Sequence, residues 1–408
     1  MQPKILTTIK GYTPALFVAD AVAGLTVAMV AIPLSIAIAI ASGADPAKGL
    51  VTAIIGGLLI SLLGGSRVQI GGPTGAFIVV VFGVIAAHGY DGLVLATLMA
   101  GVILIVAGWL GFGNLIAYVP EAVVNGFTIG IAIIIAASQI NDFFGLGISG
   151  VPADFLPKMQ ALWAARGQLD PAALATGGAA LALIVALRAW FPKFPGLIVA
   201  VGVVSAGVAL AGWPVDSIAS RYGDLPRGLP LPTLPEITFA KALAVLPSAL
   251  VIAFLAAIES LLSAMVADRM IEGQHRPNAE VIAQGWANLG SALFGGMPAT
   301  GAIARTATNV RAGGKTPVAG ILHAVFILAI MLVAAPLAGY LVMPALAGLL
   351  LITAWNMSEP HKWREYMSAP WEDRALLLVT LLLTVVADLT IAIGAGVALG
   401  LLLRLKRR

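Results

Sequence analysis

Long apolar runs, separated by short polar connections, cover almost the whole of this 408-residue chain. A helix needs about 20 mostly apolar residues to cross the roughly 30 Å hydrocarbon core of a bilayer, and lipid cannot satisfy exposed backbone polar groups. The runs therefore predict an all-α polytopic membrane protein. Its 14 candidate segments are residues 21–41, 50–63, 76–87, 93–110, 119–138, 172–190, 195–211, 242–266, 281–293, 303–310, 318–338, 341–355, 375–387 and 390–405.

Composition excludes most other classes of protein. The chain is 60% hydrophobic and only 10% charged, with a mean hydropathy of +1.01, whereas soluble domains are about 45–50% apolar and about 25% charged. The formal charge of +4 comes from basic residues scattered through apolar sequence, so no nucleic-acid partner is expected. Cysteine is absent and the four histidines form no cluster. We expect no metal, no cofactor and no catalytic residues, and therefore not an enzyme.

The distribution of positive charge predicts the orientation in the membrane. With the N-terminus in the cytoplasm and the segments alternating, 16 of the 23 lysines and arginines fall on the inner side, six on the outer side and one, Arg305, within a segment. Cytoplasmic loops carry such an excess of Lys and Arg. We expect a multi-pass protein of the cell membrane, the inner membrane where there are two, with both termini in the cytoplasm.

Two glycine-rich stretches interrupt the apolar sequence at matching places. Residues 64–77 read GGSRVQIGGPTGAF and residues 295–309 read GGMPATGAIARTATN, and each contains Gly-Gly followed by Thr-Gly-Ala. Pro120 lies 46 residues after Thr74, and Pro344 lies 44 residues after Thr300. Segments 1–7 (residues 1–212) and segments 8–14 (residues 213–408) are therefore predicted to be repeats. Because seven is odd, the two repeats would be inverted in the membrane.

Each stretch is predicted to be a short extended segment that leads into a half-helix, namely segments 3 and 10. Half-helix N-termini that meet near the midplane expose unpaired N–H groups and a partial positive charge, which favour an anion. Simple packing kinks are the alternative. The predicted substrate-binding residues are Gly72, Pro73, Thr74, Thr300, Gly301 and Ala302, with the amides of Thr74 and Ala302 as anion donors.

Two ionisable side chains lie within apolar segments, where a charge is costly and indicates a functional site. Glu259 is in the middle of segment 8, and we expect it to carry the coupling proton, or to bind sodium, with Ser260 and Ser263 completing the site. Arg305 begins segment 10 and keeps its charge, so it is the expected partner of the anion. A structural carboxylate at Glu259 and a standing Glu259–Arg305 salt bridge remain open as alternatives.

Three other features are interpreted without a transport role. Residues 268–280 are charged and are interpreted as a solvated turn. Residues 312–316 end like a phosphate-binding loop, but Asn309 occupies the position of the first glycine that such a loop requires. His323 is interpreted as a hydrogen-bonded core residue, with a proton relay as the alternative.

Motifs spread over nearly the whole chain carry a family resemblance. They are Asp20 with AGLTVA at 23–28, QIGGPT at 69–74, IESLLS at 258–263, HRPN at 275–278, Gln284-Gly285, Asn288, GGMPATGA at 295–302 and Arg305-Thr306. In these motifs the chain resembles the SulP family of anion transporters, the sulfate permeases. Many relatives carry Gln and an aromatic residue on the first segment, where this chain has Leu34 and Ile38. The site is therefore expected to be more apolar on that side.

The resemblance implies a fold and an assembly. It implies a seven-plus-seven inverted repeat, with segments 1–4 and 8–11 as a core domain and segments 5–7 and 12–14 as a gate domain. Substrate would bind between segments 1, 3, 8 and 10, and the core would move against the gate as an elevator. Family members usually form dimers and carry a cytoplasmic STAS domain after the last segment, and that domain is missing from this chain.

These observations together predict a secondary active transporter of a small anion. The expected substrate is a dicarboxylate such as fumarate, or sulfate, coupled to protons through Glu259. Sodium-coupled bicarbonate uptake and an uncoupled anion channel or exchanger are the alternatives.

Overall fold

The fold is described from a computed structural model, which describes residues 2–114, 120–191, 195–387 and 395. We number the longer helices α1 (Pro14–Ala41), α2 (Pro46–Leu63), α3 (Gly75–Trp109), α4 (Glu121–Phe144), α5 (Phe155–Ala164), α6 (Pro171–Trp190), α7 (Gly196–Ala211), α8 (Phe239–Ile271), α9 (Pro277–Leu293), α10 (Ile303–Arg311), α11 (Val318–Ala338), α12 (Met343–Met357) and α13 (Trp371–Val386). The two strands found in those residues are β1 (Gly71–Gly72) and β2 (Thr300–Gly301).

The prediction of a polytopic helical membrane protein is confirmed. In the described residues, seven helices are long and apolar enough to cross a membrane, namely α1, α2, α3, α4, α6, α8 and α11. Each of the first 13 predicted segments coincides with a helix, and the helices extend up to seven residues beyond the predicted ends. The fourteenth predicted segment, 390–405, and the basic residues after it lie outside the described residues.

Helix α3 contains two of the predicted segments. It runs for 35 residues, but Gly89 interrupts it with φ 69° and ψ 179°. Only glycine adopts that backbone conformation at little cost. The break separates segments 3 and 4, as the sequence predicted.

The helices pack in two groups. Helices α1, α2, α3, α8, α9, α10 and α11 pack mainly on one another, and helices α4, α6, α7, α12 and α13 form a second set of neighbours. Contacts of α1 with α7 and α12, and of α4 with the start of α3, connect the groups.

Small residues allow the closest helix contacts in the first group. A Cβ atom added to Gly101 on α3 would lie 2.8 Å from the carbonyl oxygen of Gly285, and one added to Gly285 on α9 would lie 2.7 Å from that of Gly101. The two glycines therefore face each other across touching backbones. Association of helices in lipid depends on such packing because the hydrophobic effect does not drive it.

The loops gather at two opposite ends of the molecule. At one end Arg276 donates to the carbonyl of Gln2, and Lys4 donates to that of Gln274. At the other end Arg221 forms salt bridges with Asp142 at 2.8 Å and with Asp216 at 2.9 Å. We refer to these ends as the N-terminal end and the loop end.

Candidate functional site

The two glycine-rich stretches meet in the interior as an antiparallel pair of strands. Gly71 pairs with Gly301, and Gly72 pairs with Thr300. One residue further in that register, Pro73 lies opposite Ala299, and these are the residues just before the two Thr-Gly-Ala triplets. An antiparallel pair centred on equivalent positions is what two inverted repeats produce at their axis.

Buried side chains from other helices hold these extended stretches in place. The amide of Asn288 donates to the carbonyl of Ala299 at 2.8 Å and accepts from its N–H at 2.9 Å. Asn309 donates to the carbonyl of Val68 at 2.8 Å, and the hydroxyl of Thr52 accepts from the N–H of Met297 at 2.7 Å. Thr52 begins a π-helical turn, Thr52–Gly56, within α2, and such turns are frequent at functional sites. Side-chain hydrogen bonds thus replace the missing helical ones.

The close approach of the strands leads to a stability prediction. A Cβ atom at Gly301 would collide with the side-chain amide of Gln69 and lie 3.2 Å from the Cα of Ser260. We expect Gly301→Ala to lower the free energy of unfolding by about 1–3 kcal/mol, the usual cost of overpacking. Gly83→Ala is the matched control, because a Cβ at Gly83 would meet nothing within 4 Å. Thermal unfolding in detergent measures both, and equal melting temperatures would contradict the prediction.

Arg305 lies directly behind the paired strands, at 1% exposure. Its Nη2 donates to the carbonyl of Pro73 at 2.8 Å and to the hydroxyl of Ser35 at 3.3 Å. Its Nε and Nη1 have no hydrogen-bond partner among the described residues. A Cβ atom at Gly72 would collide with Nη1. The guanidinium therefore reaches the strands only because residue 72 has no side chain. Two of its nitrogens, Nε and Nη1, remain without a hydrogen-bond partner among the described residues.

Glu259 contacts Thr74, at the start of the first half-helix, and not Arg305 on the second. Its Oε2 accepts a hydrogen bond of 2.7 Å from the hydroxyl of Thr74. No salt bridge within 4.0 Å joins Glu259 to Arg305 or to any other cation in the described part of the chain. The standing Glu259–Arg305 salt bridge left open by the sequence is therefore not found. The structure places a carboxylate and a guanidinium in one region without pairing them.

Of the two backbone N–H groups predicted to bind the anion, one is hydrogen-bonded within the described part of the protein and the other is not. The N–H of Ala302 donates to the carbonyl of Ile70 at 2.8 Å, so it is engaged within the protein and the prediction that it is a free anion donor is wrong. The antiparallel pairing of the strands explains this, because the pairing continues to Ala302. Thr74, two residues after the end of β1, has no hydrogen bond from its amide to the described residues.

Ser260 and Ser263 are fully buried at 0% exposure and bond to the scaffold rather than to Glu259. The hydroxyl of Ser260 accepts from Gln69 at 2.9 Å, and that of Ser263 donates to Thr306 at 3.2 Å. Thr306 in turn accepts from the N–H of Ile70 at 3.1 Å. Both serines therefore connect α8 to the extended stretches. A role for them in ion coupling stays a prediction.

Glu280 is the main residue that sequence reasoning missed. The interpretation of 268–280 as a solvated turn is wrong at its end, because Glu280 is 0% exposed. Its Oε2 accepts from the N–H groups of Gly65 and Ser66, and its Oε1 accepts from Gln69, Gln284 and Ser260. Glu280, Gln284 and Asn288 recur every four residues, and that polar stripe along an otherwise apolar helix was the available signal.

The loop that resembles a phosphate-binding loop holds a carboxylate of this chain. Asp20 on α1 accepts from the N–H groups of Lys315 and Thr316 at 2.8 and 3.1 Å, and from the hydroxyl of Tyr12 at 3.0 Å. It thereby fixes the start of α11. His323 on α11 is 0% exposed, and neither ring nitrogen has a partner among the described residues, unlike the hydrogen-bonded core residue expected.

A cavity of about 870 Å³ lies at the loop end of the molecule, and its described lining does not include Thr74, Glu259 or Arg305. It lies between α3 and α8 of the first group and α4 and α13 of the second, and its lining includes Ile78, Phe82, Gln139, Lys158 and Val251. Ile78 is four residues beyond Thr74, and Val251 is eight residues before Glu259, about 12 Å along a helix. In the described residues no group of three His, Asp or Glu side chains could hold a metal ion.

Comparison with known protein families and sequences gives consistent matches. The Sulfate permease family profile matches residues 17–374. The putative sulfate transporter YvdB of Bacillus subtilis (strain 168) is 42% identical over 400 residues, covering 98% of this chain and 75% of YvdB. The bicarbonate transporter BicA of a Picosynechococcus species is 32% identical over 409 residues, covering 95% of this chain and 70% of BicA.

Solved structures show the same fold. The transmembrane domain of a cyanobacterial bicarbonate transporter BicA superposes with a TM-score of 0.84 at 28% identity, covering 95% of this chain and 98% of that domain. SLC26A9 superposes with a TM-score of 0.88 at 18% identity, covering 99% of this chain and 68% of SLC26A9. At that low identity the second match concerns the fold alone.

Proposed function

The chain belongs to the sulfate permease family, and we propose that it is a secondary active transporter that moves sulfate, or a dicarboxylate such as fumarate, together with protons. That it is an anion transporter and not an enzyme follows from the family and its transporter relatives. The name of YvdB, a putative sulfate transporter, supports sulfate as the first candidate.

The observation that carries the proposal is the buried guanidinium of Arg305 with two unbonded nitrogens. A buried charge without a partner is costly, and a guanidinium fork matches the oxygens of an oxyanion or carboxylate. We assign the anion to Nε and Nη1 of Arg305, next to Gly72, Pro73 and the amide of Thr74. Both nitrogens are closed off from solvent in this conformation, so the segments around them have to part to admit the anion. Thr300, Gly301 and Ala302 shape the opposite wall through the strand pairing.

Glu259 is the proposed proton carrier. A carboxylate within a membrane helix that has no cation partner is able to carry a proton in one step of the cycle and release it in another. Its hydrogen bond to Thr74 connects that event to the half-helix at the anion site. Protonation of Glu259 would neutralise its negative charge, which otherwise repels an incoming anion.

Substitution of Glu259 tests the coupling. In proteoliposomes containing Glu259→Gln, we expect an inward proton gradient to drive no accumulation of sulfate or fumarate, while sulfate–sulfate exchange continues within about tenfold of the wild-type rate, because a glutamine keeps a hydrogen-bond acceptor for Thr74 but carries no proton. Radiolabelled uptake with sodium absent measures both modes.

Thr74→Val is the matched control for the same contact. It removes the hydroxyl but leaves the carboxyl group, so proton-driven accumulation is expected to slow without disappearing. Full gradient-driven accumulation by Glu259→Gln would exclude Glu259 as the proton carrier.

A second candidate is sodium-coupled bicarbonate transport. The hydroxyl oxygen of Thr74 next to the Glu259 carboxylate offers hard oxygen ligands for a cation, and BicA relatives match over nearly the whole chain. Uptake of labelled bicarbonate driven by a sodium gradient, without stimulation by protons, would favour it. Sustained anion current with neither gradient dependence would favour the uncoupled channel.

We propose an elevator mechanism from the two groups of helices. The proposed core comprises segments 1–4 and 8–11 and the proposed gate comprises segments 5–7 and 12–14, from repeats 1–212 and 213–408. The separate packing of the two groups and the cavity between them support this division. Cytoplasmic termini and a homodimer complete the proposal.

A further inference from the structure

A lysine is buried at the cavity where the two groups of helices separate. Lys158, on the short helix α5, is 5% exposed and lines the 870 Å³ cavity. Its Nζ lies 5.4 Å from the centre of the Phe82 ring, a cation–π contact with the first half of α3. A side chain from α5 therefore reaches into the cavity, next to the part of α3 that follows Thr74.

The ammonium group of Lys158 has no partner in the described residues. No hydrogen bond joins it to them, and no carboxylate oxygen lies within 4.0 Å. Asp154, one turn earlier on the chain, is exposed to solvent. Burial lowers the pKa of Lys158, and the nearby Asp154 opposes that change. The nitrogen itself is not among the buried unpartnered atoms and faces the cavity, so water or an anion there is left to compensate its charge.

Asp154 also lines the cavity and attracts Lys158 without forming a salt bridge, and the other charges around the cavity do not compensate the lysine. Arg221 also lines it but is held by Asp142 and Asp216, and His88 is exposed. The remaining walls include apolar side chains such as Ile78 and Val251. Low-dielectric walls focus the field of a charge into a cleft and concentrate counter-ions there.

We propose that Lys158 forms an outer binding station, where a small anion enters the cavity and is held before it reaches Arg305. The station recognises negative charge rather than one anion, because a single ammonium offers no shape-specific fork. It lies at the loop end, which the distribution of Lys and Arg assigns to the outside. The inference rests on the proposed transport of anions, and it adds a second site on their path.

The first measurement does not need a transported substrate. The natural chain has no cysteine, so Ser248→Cys, which lines the cavity, places a single thiol there. We compare its reaction rates with anionic and cationic methanethiosulfonate reagents of similar size. Adding Lys158→Met is expected to lower the anionic-to-cationic rate ratio roughly fivefold, from the Coulomb interaction of one nearby charge.

The second measurement separates binding from turnover. For uptake of external sulfate and bicarbonate into proteoliposomes, Lys158→Met is expected to raise KM roughly fivefold with Vmax unchanged, whereas Lys158→Arg keeps the wild-type KM. Arg166→Gln is the matched control, because Arg166 is an exposed cation of the same loop that does not line the cavity. Size-exclusion profiles of all variants are compared, with Lys158→Gln as a second neutral replacement.

Each contrary result overturns a distinct statement. An unchanged reagent ratio in Lys158→Met, or an equal shift in Arg166→Gln, would exclude Lys158 as an anion station. A changed ratio with an unchanged KM would remove the station from the transport path. If the wild-type protein takes up none of sulfate, fumarate and bicarbonate, the proposed function fails, and the reagent ratio still decides whether Lys158 draws anions into the cavity.

Discussion

Replacing Arg305 with methionine is expected to weaken anion binding strongly while leaving the protein at least as stable as before. The side chain is 1% exposed and has no acidic partner among the described residues, so its removal leaves no carboxylate unpaired. Removal of buried charge in favour of an apolar side chain is often neutral or stabilising. The lost contacts are those to Pro73 and Ser35.

The affinity for the anion, unlike the stability of the protein, is expected to fall in Arg305→Met. A hydrogen bond to a charged group contributes about 1.5–3 kcal/mol. Loss of two such bonds, from Nε and Nη1 of Arg305, is therefore expected to weaken anion binding by roughly 100–10,000-fold. A bound anion raises the melting temperature of the folded protein by mass action. Titration of sulfate in a thermal-unfolding assay therefore measures binding and stability in one experiment.

Arg311→Met is the matched control for Arg305. Arg311 lies on the same helix, six residues later, and is exposed. Sulfate should stabilise wild type and Arg311→Met alike and should leave the melting temperature of Arg305→Met unchanged. An anion-dependent shift that persists in Arg305→Met would remove this residue from the site.

The membrane helices were predictable because lipid restricts the choice. An apolar run in a bilayer has to satisfy its own backbone, so length and hydropathy identify it without knowledge of its neighbours. Glycine and proline mark the places where that rule fails. The repeated Thr-Gly-Ala triplets therefore located both extended stretches, and Gly89 divided a 35-residue helix at the expected place.

The partners of the polar residues were not predictable in the same way. The hydroxyl of Thr74 and the carboxylate of Glu259 are 185 residues apart in the chain, and Ser35 and Arg305 are 270 apart. Hydropathy predicted that Glu259 and Arg305 would lie within apolar helical segments, but their partners depend on which helices are neighbours. The same uncertainty allowed Ala302 to be predicted as a free donor although strand pairing engages it.

Glu280 illustrates a different reason for failure. It follows a run of charged residues, and local composition indicated solvent. Its burial depends instead on the start of the first glycine-rich stretch, directly after α2. The N–H groups of Gly65 and Ser66 there need an acceptor inside the protein. The carboxylate supplies it, together with an acceptor for Gln69 on the same stretch.

Substitution of Glu280 is expected to produce the largest loss of stability in this chain. Glu280→Ala removes the acceptor of five donors, two of them backbone N–H groups with distances of 2.8 and 3.0 Å. Breaking a buried charged network by removing one partner costs about 3–5 kcal/mol. We expect little folded protein in detergent, and early aggregation by size exclusion.

Two further variants show which bonds matter in this network. Glu280→Gln retains one oxygen, which can still accept from Gly65 and Ser66, and the amides of Gln69 and Gln284 are able to turn towards its nitrogen. We therefore expect less than half the loss caused by Glu280→Ala. Ser260→Ala removes the donor to Glu280 at 3.2 Å and the acceptor of Gln69 at 2.9 Å, for which about 0.5–1.5 kcal/mol each is expected. Equal melting temperatures for the alanine and glutamine variants at 280 would mean that the negative charge, rather than the two backbone hydrogen bonds, holds the glycine-rich stretch against α9.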